Sequence, residues 1–406
     1  MSKRTLAILG GGPIGLEAAA AAAANGFEVR VFERGEVGAS VSLWGHVRMF
    51  TPWKMNRSTL GARLAKEAGA FAPDPEVCPT GDELVAQYLL PLASHPLLRG
   101  RIETGSRVLA IAREGLLKGD FLGRPERRSR PFRLLVERDG NEKVFHADAV
   151  IDATGTYGTP RWLGTGGIAA VGERQAFITR HLPDVLGRDQ VTYAGERVLV
   201  IGAGLSAATL LRDLAAVART ARETEIVWAV RGEARDGGPI PGVPDDPLPE
   251  RVKLTREANA LALGGSPNVK LRTGVTVQSI QRERDGERVG LRDASGNTSL
   301  EHFDRVVALV GYRPDRSLWE ELQVHECYAS GGPMKLSAAL LGSGGGDCLA
   351  QTSHGPESLA SPEPDFVVIG AKSYGRNPQF LLRLGHEQVR DALHLLTGGQ
   401  SQLVLD

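Results

Sequence analysis

The chain has 406 residues, 42% of them hydrophobic, and 50 glycines, which is more than one typical domain and enough to bury a substantial core. Lys+Arg and Asp+Glu balance at 48 each, so no global field recruits nucleic acid or an anionic membrane. Its three cysteines, Cys78, Cys327 and Cys348, form no CxxC and no metal-ligand spacing, so no metal site is expected.

In chain order, an apolar run, Leu6 to Leu9, meets Gly10-x-Gly12-Pro13-Ile14-Gly15, and an alanine-rich helix follows. A second apolar strand ends on Glu33 and Arg34. The first glycine permits a tight strand-to-helix turn, the second lets a pyrophosphate approach the backbone, and the third lets helix and strand pack closely. The phosphates are expected on the helix N-terminus, where unpaired N–H groups and the helix dipole favour anions. At the tip of the second strand, the Glu33 carboxylate can accept both hydroxyls of a ribose and repels a 2′-phosphate. The alanine run at 18–24 lies between Glu17 and Asn25 and is far shorter than a membrane span of about 20 apolar residues. Because the glycine motif begins at residue 10, no cleavable signal is expected and a cytoplasmic location follows.

The aromatic segment 42–56 comes next, with Trp44, Arg48, Trp53 and Asn56. Helices are predicted from Arg57 to Ala70 and from Gly81 to Ala93, and strands over Arg107 to Arg113, Phe132 to Glu137 and Val144 to Ala147. The basic run 124–130 between the first two strands reads as a solvated hairpin turn. A closing strand at 149–153 leads into Ala153-Thr154-Gly155.

Residues 197–207 repeat the opening pattern as Gly202-x-Gly204-x-Ser206-Ala207, with a helix running to about Ala218. The strand Glu225 to Val230 ends on Arg231, where the first copy ends on Glu33. A basic tip suits a 2′-phosphate, which points to NADPH at this second site. The proline- and glycine-rich stretch Asp236 to Glu250 reads as an irregular excursion. After an apolar strand leading to Tyr312-Arg313-Pro314-Asp315, a strand Asp365 to Ile369 and a helix from Pro378 to about Leu396 are expected, with Pro378 opening that helix.

The order of these landmarks resembles the two-dinucleotide-binding-domain flavoproteins, which include glutathione reductase-like enzymes and flavin-containing monooxygenases. The resemblance implies an α/β fold of two Rossmann-like dinucleotide-binding domains: a glutathione reductase-like FAD domain over 1–157 and 313–406, with an NAD(P)H domain inserted over 158–312. It implies FAD held by Gly10, Gly12, Pro13, Ile14, Gly15, Glu33, Arg34, Trp44, Arg48, Val108, Ala153, Thr154, Gly155 and Gly370. NADPH would be held by Gly202, Gly204, Ser206, Ala207 and Arg231. The family commonly has glycine then aspartate where this chain has Gly370-Ala371-Lys372, so Lys372, Tyr374 and Arg376, together with Asn56, are the candidate catalytic residues.

The segments WGHVRMFTPW and KSYGR also resemble uncharacterised flavin-dependent monooxygenases, some of them from arsenic-resistance gene clusters. The implied activity is an FAD enzyme reduced by NADPH that uses molecular oxygen to oxygenate a small soft nucleophile: sulfur, nitrogen or arsenic(III). Disulfide reductases of the superfamily carry a close cysteine pair that this chain lacks, although Cys327 and Cys348 could meet across a glycine-rich loop. Phe177 and His181 depart from the spacing of the monooxygenase fingerprint. Two further readings stay open: an NAD(P)H-dependent reductase of a thiol, quinone or metal compound, and a flavin-bound sensor with negligible turnover. Nothing in the sequence speaks to an oligomeric state.

Overall fold

The computed structural model describes residues 3–233, 237–243, 246–342 and 353–399. Two compact units divide the chain, Met1–Thr159 with Arg313–Asp406, and Pro160–Tyr312.

The N-terminal segment contributes β1 (Thr5–Leu9), β2 (Glu28–Phe32), β3 (Ile102–Glu103), β4 (Ser106–Arg113), β5 (Phe132–Arg138), β6 (Asn141–Ala147) and β7 (Ala149–Asp152). β1 is apolar at every position after Thr5 because both of its faces are covered, as is usual in a parallel sheet. Leu6 and Ile8 pack towards the helix Pro13–Ala24, while Ala7 and Leu9 pack towards Val108, Phe132 and Leu134 of the antiparallel sheet β4-β5-β6. The alanines of the helix are buried almost throughout, since small side chains let it lie close to its neighbours. Thr80 and Glu83 form a capping box that starts the predicted helix at Gly81, and a π-helical stretch, Val85–Leu89, interrupts it before Leu90–Ser94.

The inserted unit repeats the plan with β8 (Arg197–Ile201), β9 (Glu225–Ala229), β10 (Val269–Arg272), β11 (Thr276–Arg282), β12 (Glu287–Arg292), β13 (Thr298–Phe303) and β14 (Arg305–Ala308). A parallel sheet runs β10-β9-β8-β14, with the antiparallel sheet β11-β12-β13 as a second layer. The stretch read as an irregular excursion ends in a helix, Pro249–Ala260, that its last two residues open.

On its return the chain adds β15 (Phe366–Val368), which completes the sheet β15-β7-β1-β2-β3, and the helix Leu382–Thr397. One expectation is corrected here and a second at a single residue. Pro378 does not open that helix: the Asn377 side chain accepts from the Gln379 N–H at 3.0 Å, a local turn that competes with helical geometry, and the helix begins at Leu382. The run 124–130, read as a solvated turn, is exposed except at Arg127. Arg127 is fully buried and pairs with the equally buried Glu363 at 3.0 Å, Arg113 reaches the same carboxylate at 2.8 Å, and Arg128 pairs with Asp365 at 2.7 Å. Burial pulls the Arg113 guanidinium below its ordinary value, against the opposing effect of Glu363.

Candidate functional site

At the end of β1, Gly10 adopts φ +101°, and a Cβ there would lie 2.7 Å from the Ala153 carbonyl oxygen. A Cβ at Gly15 would collide with the Gly10 carbonyl, so the first and third glycines are required by the protein's own backbone. Gly12 differs: a Cβ on it would meet no atom within 4 Å. Gly12 caps the helix Pro13–Ala24 without any side-chain cap, and the first turn holds no acid. With the space at Gly12 open and no side chain capping the helix start, this turn is suited to a diphosphate.

Around this turn Glu33 accepts from the Gly11 N–H at 2.6 Å and from the Gly35 N–H at 2.8 Å. Arg34 is exposed, with its guanidinium alongside Gly158. Ile14 is buried against Gly370, whose φ is +72°. Gly10, Gly12, Ile14, Gly15, Glu33, Arg34, Ala153 and Gly370 are thus gathered at the C-terminal ends of the parallel strands, where ligands bind in open α/β sheets. Val108 is buried in the core between the parallel sheet and β4-β5-β6.

The next turn holds an element that the sequence pattern did not reveal. Asp152, at the end of β7, accepts from the Thr154 N–H at 3.0 Å and the Thr154 hydroxyl at 2.7 Å through Oδ1. Its Oδ2 accepts from Lys372 Nζ at 2.7 Å, and Lys372 also reaches Thr154 Oγ1 at 2.9 Å. Neither charged side chain has any exposure, and the ammonium stands 4.5 Å from the Trp319 ring centroid. The available signal was an acid ending an otherwise apolar strand. Gly155, φ +66°, follows, and a Cβ on it would meet no atom within 4 Å.

Tyr374 is also buried and meets Phe380 edge-on with ring centroids 5.4 Å apart. Burial, with Glu387 nearby, holds its phenol up to about 12. Arg376 is exposed and lines a different cavity. Trp44, Arg48 and Asn56 form a separate set. Asn56 is buried and exchanges hydrogen bonds with Thr51, both at 2.8 Å. Arg48 donates to the Cys78 carbonyl and stands 3.8 Å from Glu83. The Trp44 ring lies against Gly81, and among the described residues its buried Nε1 and the buried His46 Nε2 have no hydrogen-bond partner.

In the inserted unit, Gly202 has φ +133° and a Cβ there would strike the Leu309 carbonyl oxygen. Gly204 caps the helix Leu205–Thr220, again with no acid in the first turn, and a Cβ on it would meet no atom within 4 Å. Ala207 is fully buried where helix and strand meet, Ser206 is exposed, and Arg231 is exposed beyond the end of β9.

Cys327 is buried, and hydrogen bonds led by the Ser330 backbone pull its thiol below the ordinary value. Cys348 lies outside the described residues, and Cys78 is half-buried. Among the described residues there is no group of three or more metal-ligating side chains, and no helix is long and apolar enough to cross a membrane.

No protein-family model and no curated protein matches the chain. Solved structures do. A bacillithiol disulfide reductase from Bacillus cereus superposes with TM-score 0.69 at 18% identity, over 98% of this chain and 100% of its own. The ornithine N-hydroxylase of Kutzneria sp. 744, solved with reduced FAD, NADP+ and L-ornithine, gives 0.64 at 16% over 98% and 100%. The thioredoxin reductase of T. acidophilum gives 0.59 at 17% over the same shares. Reductases and hydroxylases therefore share one architecture with this chain, and its fold is that of the two-dinucleotide-binding-domain flavoproteins.

Proposed function

We propose that this chain is a cytoplasmic FAD-dependent oxidoreductase, reduced by NADPH, that oxygenates a small soft nucleophile. The observation carrying the two-cofactor reading is the pair of glycine turns whose central glycines, Gly12 and Gly204, face space empty of protein atoms. In both, a helix start without a side-chain cap or first-turn acid is left for an anion. The different tip residues assign the cofactors. Glu33 orients a ribose in the first site and opposes a 2′-phosphate, whereas Arg231 in the second offers the planar fork that matches one.

Bound there, the flavin supplies the hydride acceptor and the oxygen-reactive centre, and the nicotinamide supplies the hydride. The protein's part is to fix the geometry around them. Buried Lys372 and Asp152 lock the 152–155 turn through Thr154. Gln388 fixes the 370–373 turn by accepting from the Gly370 N–H at 2.8 Å and donating to Ser373 Oγ at 2.9 Å. Asn56, Tyr374 and Arg376 remain the candidates for contact with substrate or reacting atoms.

Oxygenation is favoured over disulfide reduction by the lack of any CxxC pair in the sequence, within a fold that disulfide reductases and an ornithine N-hydroxylase share. The test is NADPH oxidation under 18O2 with a thioether, an amine or arsenite as acceptor. Incorporation of the label into product supports the proposal. NADPH oxidation that proceeds without oxygen, driven by a disulfide or quinone, supports the reductase reading suggested by the likeness to bacillithiol disulfide reductase. A bound flavin that NADPH fails to reduce would indicate a sensor.

A further inference from the structure

The loop between β4 and β5 holds large apolar side chains in water. Leu117 and Leu122 are 75% and 71% exposed, and Phe121 is 48% exposed. Buried polar groups brace this loop from beneath. Arg127 donates to the Leu117 and Asp120 carbonyls at 3.1 and 2.8 Å, and Gln323 donates to the Lys118 and Asp120 carbonyls at 2.7 and 2.9 Å. Gln323 also accepts from the Gly123 N–H at 2.9 Å, and Asp120 accepts from the Leu117 N–H at 2.8 Å. At the tip Phe121 has φ +50°, and the other non-glycine residues with positive φ among the described residues are aspartates, Asp139 and Asp365. A phenylalanine in that region carries backbone strain, and a buried arginine is committed to holding it there. Folding gains nothing from three apolar groups fixed in water, so the loop points to a surface that covers them.

We propose that this face docks on an anionic lipid bilayer, with the loop tip entering the headgroup region. The charge beside the loop is what favours lipid. A cavity bordered by Gly123, Arg124 and Arg128 joins the loop to a second, of about 560 Å3, that Arg128 shares with Lys3, Arg4 and Arg130. The acids on the second cavity are already engaged: Asp365 by Arg4 at 2.9 Å and Arg128 at 2.7 Å, and Asp148 by the Thr5 N–H at 2.8 Å. Four cationic side chains against two anionic ones leave its lining positive. Lys3, Arg124 and Arg130 form no ion pair among the described residues, and Glu126 is the one exposed acid between Gly123 and Arg130. The chain as a whole is neutral, so this is a local excess. Apolar insertion and attraction to anionic headgroups act together in peripheral membrane binding, where one signal alone is marginal. A second copy of the chain is a poorer occupant, because a stable interface uses about 20 to 30 residues a side and the apolar tip offers only Leu117, Phe121 and Leu122.

The test is co-sedimentation of the full-length, FAD-saturated protein with vesicles of phosphatidylcholine alone and with vesicles containing about one third phosphatidylglycerol. We expect binding to the anionic vesicles only, reduced by added salt as the headgroup attraction is screened. Leu117→Ser combined with Leu122→Ser should weaken it about tenfold or more, and so should Lys3→Glu combined with Arg130→Glu. Leu300→Ser, at an exposed position of β13, should leave it unchanged, and every variant should match the parent in circular dichroism and flavin content. Equal binding to both kinds of vesicle, binding to neither, or binding that either pair of substitutions leaves unaltered overturns the proposal. So does a concentration-dependent dimer in analytical ultracentrifugation that the leucine substitutions dissolve, since a second copy then covers the loop.

Discussion

Lys372 donates to Asp152 at 2.7 Å across 220 residues of sequence, and neither side chain is exposed. The pair joins the turn after β7 to the turn after β15, both at the C-terminal edge of the parallel sheet. Its geometry is completed by Thr154, which donates to Asp152 and accepts from Lys372. A cation at this position therefore faces inward to a carboxylate.

Removing one partner leaves the other as an uncompensated buried charge. Lys372→Met should cost about 3 to 5 kcal/mol of stability, read from urea unfolding of the FAD-bound protein. Combined with Asp152→Asn, the loss should be smaller than the sum of the two single losses. Strict additivity would show that the two groups act independently.

Gly12→Val should abolish flavin retention while the far-UV circular dichroism stays that of the parent. A side chain at this position meets no protein atom, so it fills only the space in front of the helix start. A purified variant carrying stoichiometric flavin would refute the assignment of the first glycine turn to FAD.

Arg231→Ala should weaken NADPH much more than NADH. A charge-assisted contact to the 2′-phosphate contributes about 1.5 to 3 kcal/mol, which corresponds to roughly ten- to a hundredfold in KM for NADPH. Equal losses with both coenzymes would mean that Arg231 does not read the phosphate.

Glu301 couples stability to pH in the inserted unit. Arg272 first, then Arg197 and Ser299, hold its carboxyl down at about 2 against an ordinary 4.5. A folded value below the unfolded one means that the stabilisation is complete above 4.5 and is lost as pH falls towards 2. With solvent screening of these partly exposed side chains, the effect is about 1 kcal/mol. Thermal unfolding of Glu301→Gln should therefore fall less steeply with acidification across that window than unfolding of the parent. Parallel curves would remove Glu301 from the acid response.

The sequence alone determined what local geometry and short-range pattern control. The glycine triplets could be read because a strand-to-helix turn requires a positive φ at Gly10 and Gly202 and admits no side chain at Gly15. The parallel strands were legible because burial on both faces leaves a continuous apolar run, and Glu33 and Arg231 because a strand tip is set by counting along the chain. Tertiary structure decided the pairing of charges. Arg127 looks like one cation in a basic loop until Glu363, 236 residues away, is brought beneath it, and Lys372 reads as a free cation until Asp152 takes it. The desolvation that makes such pairs necessary depends on which elements cover them, and no periodicity encodes that. The start of the last helix at Leu382 was likewise hidden, because the side chain of Asn377 competes for the backbone just before it.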